Sequence, residues 1–222
     1  MSDDRVESEG GWPPADGGDF RQEAVIRVGE DLADRLARVR LLVFDADGVL
    51  TDGRLIYGPH GEALKEFHSH DGLGLVMARV AGVKRAVLTG RNSAIVERRC
   101  SELRFEAIKL GRFDKLAALA EILAETGCLA DETLYMGDDL IDLPAMNAAG
   151  LAVAVPDAPM PVRDAADYVT DGRGGRGAVR EVVDLVLKSA GLYLTALERL
   201  GDRTWHPTRA ELSSDADGGS TP

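Results

Sequence analysis

Aromatic side chains are scarce in this sequence, at 5% of 222 residues. A core built from such a chain must be filled mainly by Ala, Val and Leu, within an apolar content of 45%. Cysteine is rarer still. Cys100 and Cys128 stand far apart, which excludes a disulfide framework or a cysteine zinc site. Both read as small apolar residues of a reducing compartment. No apolar run approaches the roughly 18 residues of a membrane span, and no basic-then-apolar leader opens the sequence. These absences predict a soluble, cytoplasmic protein with no membrane partner. Bases are also in deficit: 26 Lys and Arg face 38 Asp and Glu, a formal charge of −12 that argues against nucleic acid as a partner.

The charge is uneven along the chain. Residues 1–23 hold seven acids and two bases and residues 201–222 hold four acids and two bases, so these ends carry −7 of the −12. Both ends are rich in Gly, Asp, Glu, Ser or Pro without apolar periodicity, and they read as disordered acidic tails over 1–29 and 205–222. Between them, residues 30–204 are long enough for one domain with a sizeable core.

Within that domain short apolar runs alternate with helical segments. Leu41-Leu42-Val43-Phe44 reads as a buried strand, and the theme returns at 85–88, 107–110, 133–136 and 151–155. Segments 73–81, 94–103, 113–126 and 140–148 read as helices; in the third, Leu116, Leu119, Ala120 and Leu123 form one stripe. A last helix is predicted from Ala178 to about Leu200. This order implies an α/β, doubly wound parallel sheet. One segment departs from it: residues 54–57 and 62–68, around Gly58-Pro59-His60-Gly61, read as a β-hairpin.

In open α/β sheets ligands bind beyond the carboxyl ends of the strands. The first four strands lead, in turn, into DADGVLTDG (45–53), LTGRN (88–92), GRFDK (111–115) and GDDLIDLP (137–144). Several acids, a hydroxyl, an Arg and a Lys thus meet at one rim. So many like charges call for a cation, and oxygen ligands without His or Cys point to Mg²⁺.

These four segments, in order and each after a strand, resemble the motifs of the haloacid dehalogenase superfamily. The resemblance implies that Asp45 attacks phosphorus to form an aspartyl-phosphate. Asp47 would protonate the leaving oxygen and later deprotonate water. Thr89 and Lys115 would hold the transferring phosphoryl oxygens. Asp138, the Asp45 carboxylate and the Asp47 carbonyl would bind Mg²⁺, with Asp139 on a bound water or one layer out. Asp142 either orients this loop or is an acid favoured by a helix N-terminus.

Neither gap between motifs has room for a cap domain, and the hairpin is the only spare part. Together with DGLG (71–74) and GGRGAVRE (174–181), this resembles the 3-deoxy-D-manno-octulosonate 8-phosphate phosphatase family over roughly residues 40–192. The resemblance implies a Mg²⁺-dependent phosphomonoesterase acting on a small sugar-acid phosphate, in a homotetramer whose hairpins assemble centrally. Alternatives are a nonulosonate 9-phosphate or another metabolite phosphate as substrate, or a non-catalytic scaffold. Substrate contacts are expected from Arg91, His70, Arg173 and Arg176. His70 stands where the family usually has Arg or Lys. His68 and His70 read as sharing a strand face, either as a zinc pair or as surface and interface residues. Residues 172–177 match G-x-G-x-x-G, but they precede the last helix rather than follow a first strand, so a dinucleotide site is rejected.

Overall fold

A computed structural model describes residues 19–201. The described residues open with α1 (Phe20–Val28) and α2 (Glu30–Leu36), then β1 (Leu41–Phe44). The hairpin strands β2 (Ile56–Gly58) and β3 (Gly61–Leu64) come after it, then α3 (Ser69–Ala81), β4 (Lys84–Leu88), α4 (Ala94–Glu102) and β5 (Ala107–Lys109). Next come α5 (Lys115–Thr126), β6 (Thr133–Gly137), α6 (Leu143–Ala148), β7 (Leu151–Ala154), α7 (Met160–Asp164) and β8 (Tyr168–Val169). Helices α8 (Ala178–Ser189) and α9 (Tyr193–Gly201) end the described chain.

The main sheet has the order β5-β4-β1-β6-β7-β8, and every pairing in it is parallel. It is the doubly wound α/β sheet expected. All four residues of β1 are buried, as an uninterrupted apolar run at the centre of a sheet covered on both faces requires. From β1 the chain moves out through β4 to β5, then returns to β6 on the other side of β1. That reversal opens a crevice beside the carboxyl end of β1, where open sheets bind ligands.

The structure corrects several expectations. The tail predicted through residue 29 is helical over Phe20–Val28, with Asp19 capping it and Ala24 buried. Arg27 of this helix pairs with Glu181 at 2.9 Å, tying it to α8. The helix escapes a periodicity search because its buried face is a single Ala. Residues 1–18 of that tail and residues 205–222 lie outside the described residues. The last helix is two helices, parted where Gly191 adopts a positive φ of 68°. His70 sits in the first turn of α3, and His68 is that helix's N-cap residue, so they do not share a strand face. Their rings still meet edge-on, with centroids 5.0 Å apart. Cys100 and Cys128 are buried free thiols, as expected of small apolar residues.

Two glycine-bearing segments set the loop architecture. An added Cβ on Gly174 would fall 1.7 Å from the Gly48 carbonyl, and one on Gly48 would fall 2.0 Å from Asp138 Oδ2. Glycine therefore lets three loops stack at the mouth of the crevice. Within the 172–177 segment that mimics a dinucleotide motif, Gly174 and Gly175 serve this contact, with the Gly175 N–H donating to the Val49 carbonyl at 2.9 Å.

Candidate active site

Asp45 is the first residue past β1, and its N–H extends the sheet ladder to the Met136 carbonyl at 3.0 Å. The backbone then turns sharply through Ala46–Leu50, with Gly48 at a φ of 92°. Asp138 follows β6, Thr89 follows β4, and Lys115 is the first residue of α5. Asp114 caps that helix by accepting from the Ala117 N–H at 3.0 Å, which fixes where Lys115 starts.

Lys115 is buried, and its ammonium is the centre of the site. It donates to the Leu88 carbonyl at 2.7 Å and stands 3.0 Å from both Asp45 Oδ1 and Asp142 Oδ1. Asp142 is wholly buried and organises the β6 loop. It accepts from the Tyr135 hydroxyl at 2.8 Å, the Asp138 N–H at 3.0 Å and the Asp139 N–H at 3.2 Å. The alternative left open for Asp142 is thereby decided in favour of orienting the loop. Asp139 turns its carboxylate to the Leu140 N–H at 2.7 Å, capping the next turn.

Asp45, Asp138 and Asp142 each offer an oxygen within 4.8 Å of the others'. Of the three, Asp142 is saturated with donors, Asp45 Oδ1 faces the Lys115 ammonium, and Asp138 Oδ1 is buried without a hydrogen-bond partner. Burial, above all, pushes both carboxyls above the ordinary range. Lys115 restrains the rise at Asp45, and the charges of Asp45, Asp142 and Asp139 add to it at Asp138. Buried carboxylates that repel one another, one with an unpartnered oxygen, suit a hard cation, so this donor set fits Mg²⁺ with Asp45 and Asp138 among the protein ligands.

The other predicted residues divide. The Thr89 hydroxyl is buried and accepts from the Arg91 N–H at 3.3 Å. Asp47 leans toward the hairpin: Oδ1 accepts from Lys65, and Oδ2 lies 3.6 Å from Arg91 Nε. Arg91 also donates to the Tyr57 hydroxyl at 2.7 Å. Arg173 and Arg176 line a cavity of about 520 Å³ together with Asp138, Gly48, Asp52 and Arg54. A neighbouring cavity of about 500 Å³ shares Asp52 and Arg176 and ends at His68, whose Nδ1 is buried and unpartnered. His70 lines neither cavity. Sequence reading missed Arg54, His68 as a lining residue, and Lys65. Arg54 directly follows DGVLTDG and could have been found; the other two depend on the packing of the hairpin.

Asp71 and Glu181 prove structural. Asp71 accepts from the Gly177 and Arg180 N–H groups at 3.2 and 2.8 Å, capping α8. Glu181 accepts from the Tyr168 hydroxyl at 2.7 Å and the Gly172 N–H at 2.9 Å, holding the loop that carries Arg173 and Arg176.

Fold and site together define a haloacid dehalogenase-like hydrolase, and that family's profile matches residues 104–181. The 3-deoxy-D-manno-octulosonate 8-phosphate phosphatase KdsC of Haemophilus influenzae is 42% identical over 160 residues, covering 72% of this chain and 89% of the relative. That of Escherichia coli is 43% identical over 164 residues, 74% of this chain and 87% of the relative. The crystal structure of the Moraxella catarrhalis phosphatase, in complex with magnesium ion, phosphate ion and KDO, superposes with a TM-score of 0.73 at 38% identity. It covers 77% of this chain and 98% of that one. This chain belongs to the 3-deoxy-D-manno-octulosonate 8-phosphate phosphatase family and is a phosphatase of the haloacid dehalogenase type.

Proposed function

We propose that the chain hydrolyses 3-deoxy-D-manno-octulosonate 8-phosphate, with Asp45 as nucleophile and Mg²⁺ as cofactor. The observation that carries this reading is the buried Asp45 carboxylate paired with Lys115 beside the unpartnered oxygen of Asp138, which opens onto a cavity rimmed by arginines. Asp45 attacks phosphorus as the ester bond to the sugar oxygen breaks, giving an aspartyl-phosphate. Asp47 protonates the departing oxygen, then takes a proton from the water that releases phosphate. Lys115 and the Thr89 hydroxyl hold the phosphoryl oxygens in place while charge shifts among them. Mg²⁺, held by Asp45 and Asp138, would neutralise phosphoryl charge.

The substrate's carboxylate needs a cationic partner, and Arg54, Arg173 and Arg176 stand around the larger cavity. A bidentate Arg–carboxylate pair discriminates well, because an uncharged sugar leaves the guanidinium unmatched. Arg173→Ala combined with Arg176→Ala should raise KM for the octulosonate ester about tenfold or more, and for hexose phosphates by no more than about twofold. The check is steady-state kinetics on both ester classes. Equal effects on the two would remove the arginines from carboxylate recognition. Faster turnover of hexose phosphates by the unaltered enzyme would overturn the choice of substrate.

The same reading includes a cytoplasmic homotetramer. Among the described residues, no helix is long and apolar enough to cross a membrane. The hairpin region exposes Leu55, Ile56, Tyr57 and Leu64, an apolar set that a lone protomer would leave in water. Light scattering at micromolar concentration should give four times the mass of one chain. Tyr57→Glu with Leu64→Glu should dissociate the assembly. A monomeric parent protein would refute it.

A further inference from the structure

The hairpin carries a buried charge that the reaction above leaves unused. Lys65 directly follows β3, and none of its side chain is exposed, although Leu64 and Glu66 on either side are exposed. A buried ammonium is costly unless its charge and its protons are matched. Here the partners are Asp47 Oδ1 and Glu62 Oε1, the latter 3.0 Å away. Glu62 also accepts from the Ser93 hydroxyl, which caps α4, and Arg91 Nε stands 3.6 Å from the other Asp47 oxygen. A chain of polar contacts thus runs from the hairpin through Asp47 to the loop after β4.

The two oxygens of Asp47 are not equivalent. Oδ1 accepts from Lys65, while Oδ2 is buried without a hydrogen-bond partner. The backbone at Asp47 does little to hold the carboxylate, because it lies in an irregular turn ahead of a glycine with positive φ. A group that transfers a proton must present one oxygen at a defined place. Anchoring the other oxygen is what stops the carboxylate from turning.

Resting on the reading of Asp47 as the acid–base group, we propose that Lys65 is its positioning residue, holding Oδ1 so that Oδ2 faces the departing oxygen. Glu62 shares the ammonium, so Lys65 fixes the position of Asp47 without neutralising it alone. The hairpin is therefore part of the catalytic apparatus within one protomer, apart from any role at a subunit contact.

Two esters with different leaving groups test this. Proton donation matters greatly for the octulosonate ester, whose alkoxide leaves poorly, and little for 4-nitrophenyl phosphate, whose phenolate leaves unaided. Lys65→Met should lower kcat/KM, which reports the step that expels the leaving group and not hydrolysis of the shared aspartyl-phosphate, by about 30-fold or more for the sugar ester and by about fivefold at most for the aryl ester. Lys65→Arg should restore most of the loss. Lys65→Gln, which keeps a hydrogen-bond donor without the charge, should show the same split more weakly, and it carries the test if the Met variant fails to fold. Equal losses on both esters, or none, overturn the proposal. Asp47→Asn run in parallel separates the two readings. If it too lowers kcat/KM for both esters alike, the acid–base assignment fails along with the proposal. If it shows the split and the Lys65 variants do not, only the positioning role is lost.

Discussion

Asp45→Asn removes phosphate ester hydrolysis, by at least about 10⁴-fold, while the protein stays folded. Asn preserves the shape of the side chain and leaves the backbone bond from residue 45 to the Met136 carbonyl in place. It takes away the anionic oxygen that attacks phosphorus, and with it one carboxylate of the group that could hold a cation. Lys115 keeps Asp142 and the Leu88 carbonyl as partners, so no buried charge is stranded by the change. Burial already disfavours the Asp45 carboxylate, so circular dichroism and the metal-free melting temperature should be unchanged or improved. Turnover within tenfold of the parent enzyme would move the nucleophile elsewhere.

Asp138→Asn is expected to abolish the Mg²⁺ dependence of both activity and stability, yet to stabilise the metal-free protein. The Asp138 carboxyl is pushed from 3.8 to about 8, by burial first and then by Asp45, Asp142 and Asp139. Its folded pKa lies above its unfolded one, so between those values the folded state holds a proton that the unfolded state has lost. This group's contribution to metal-free stability is therefore greatest below about pH 4 and declines as pH rises toward about 8. Mg²⁺ has to displace that proton, so its binding tightens over the same range. The Asn variant escapes both effects and should melt about 2–4 °C higher than the parent in chelator at pH 8, with a smaller difference at pH 5. Thermal melts in chelator and in Mg²⁺ at the two pH values provide the check. A difference that stays flat with pH, or a variant still stabilised by Mg²⁺, would rule out Asp138 as a repelled ligand.

The placement of the candidate catalytic residues was legible in the sequence because it is local. Asp45, Thr89 and Asp138 each end or directly follow an apolar run, and a parallel sheet brings all strand ends to one edge whatever the details of packing. Lys115 was legible for a related reason, since the family's spacing placed it at the start of a helix beginning beyond that edge. The hidden features depend on distances between segments far apart in the chain. Asp142 could be either a helix-favoured acid or a loop organiser until the Tyr135 hydroxyl and Lys115 were seen against it. His70 reads as one of four substrate contacts on sequence position, whereas the turn into α3 puts His68, and not His70, on the cavity wall. Lys65 reads as an ordinary hairpin lysine, and only the fold of the hairpin over Asp47 buries it. Helix α1 is invisible to periodicity because it is held by pairs with α8 more than by an apolar stripe of its own.

The sequence by itself determined the sheet, the order of its motifs and which residue types stand at the strand ends. Period and strand-end position are properties of a few consecutive residues, and they survive any arrangement of the rest. The tertiary structure alone decided which acids are matched and which are left orphaned, and which cations face the cavity. Those outcomes rest on burial and on contacts of a few ångströms between distant segments, and no short stretch of sequence contains them.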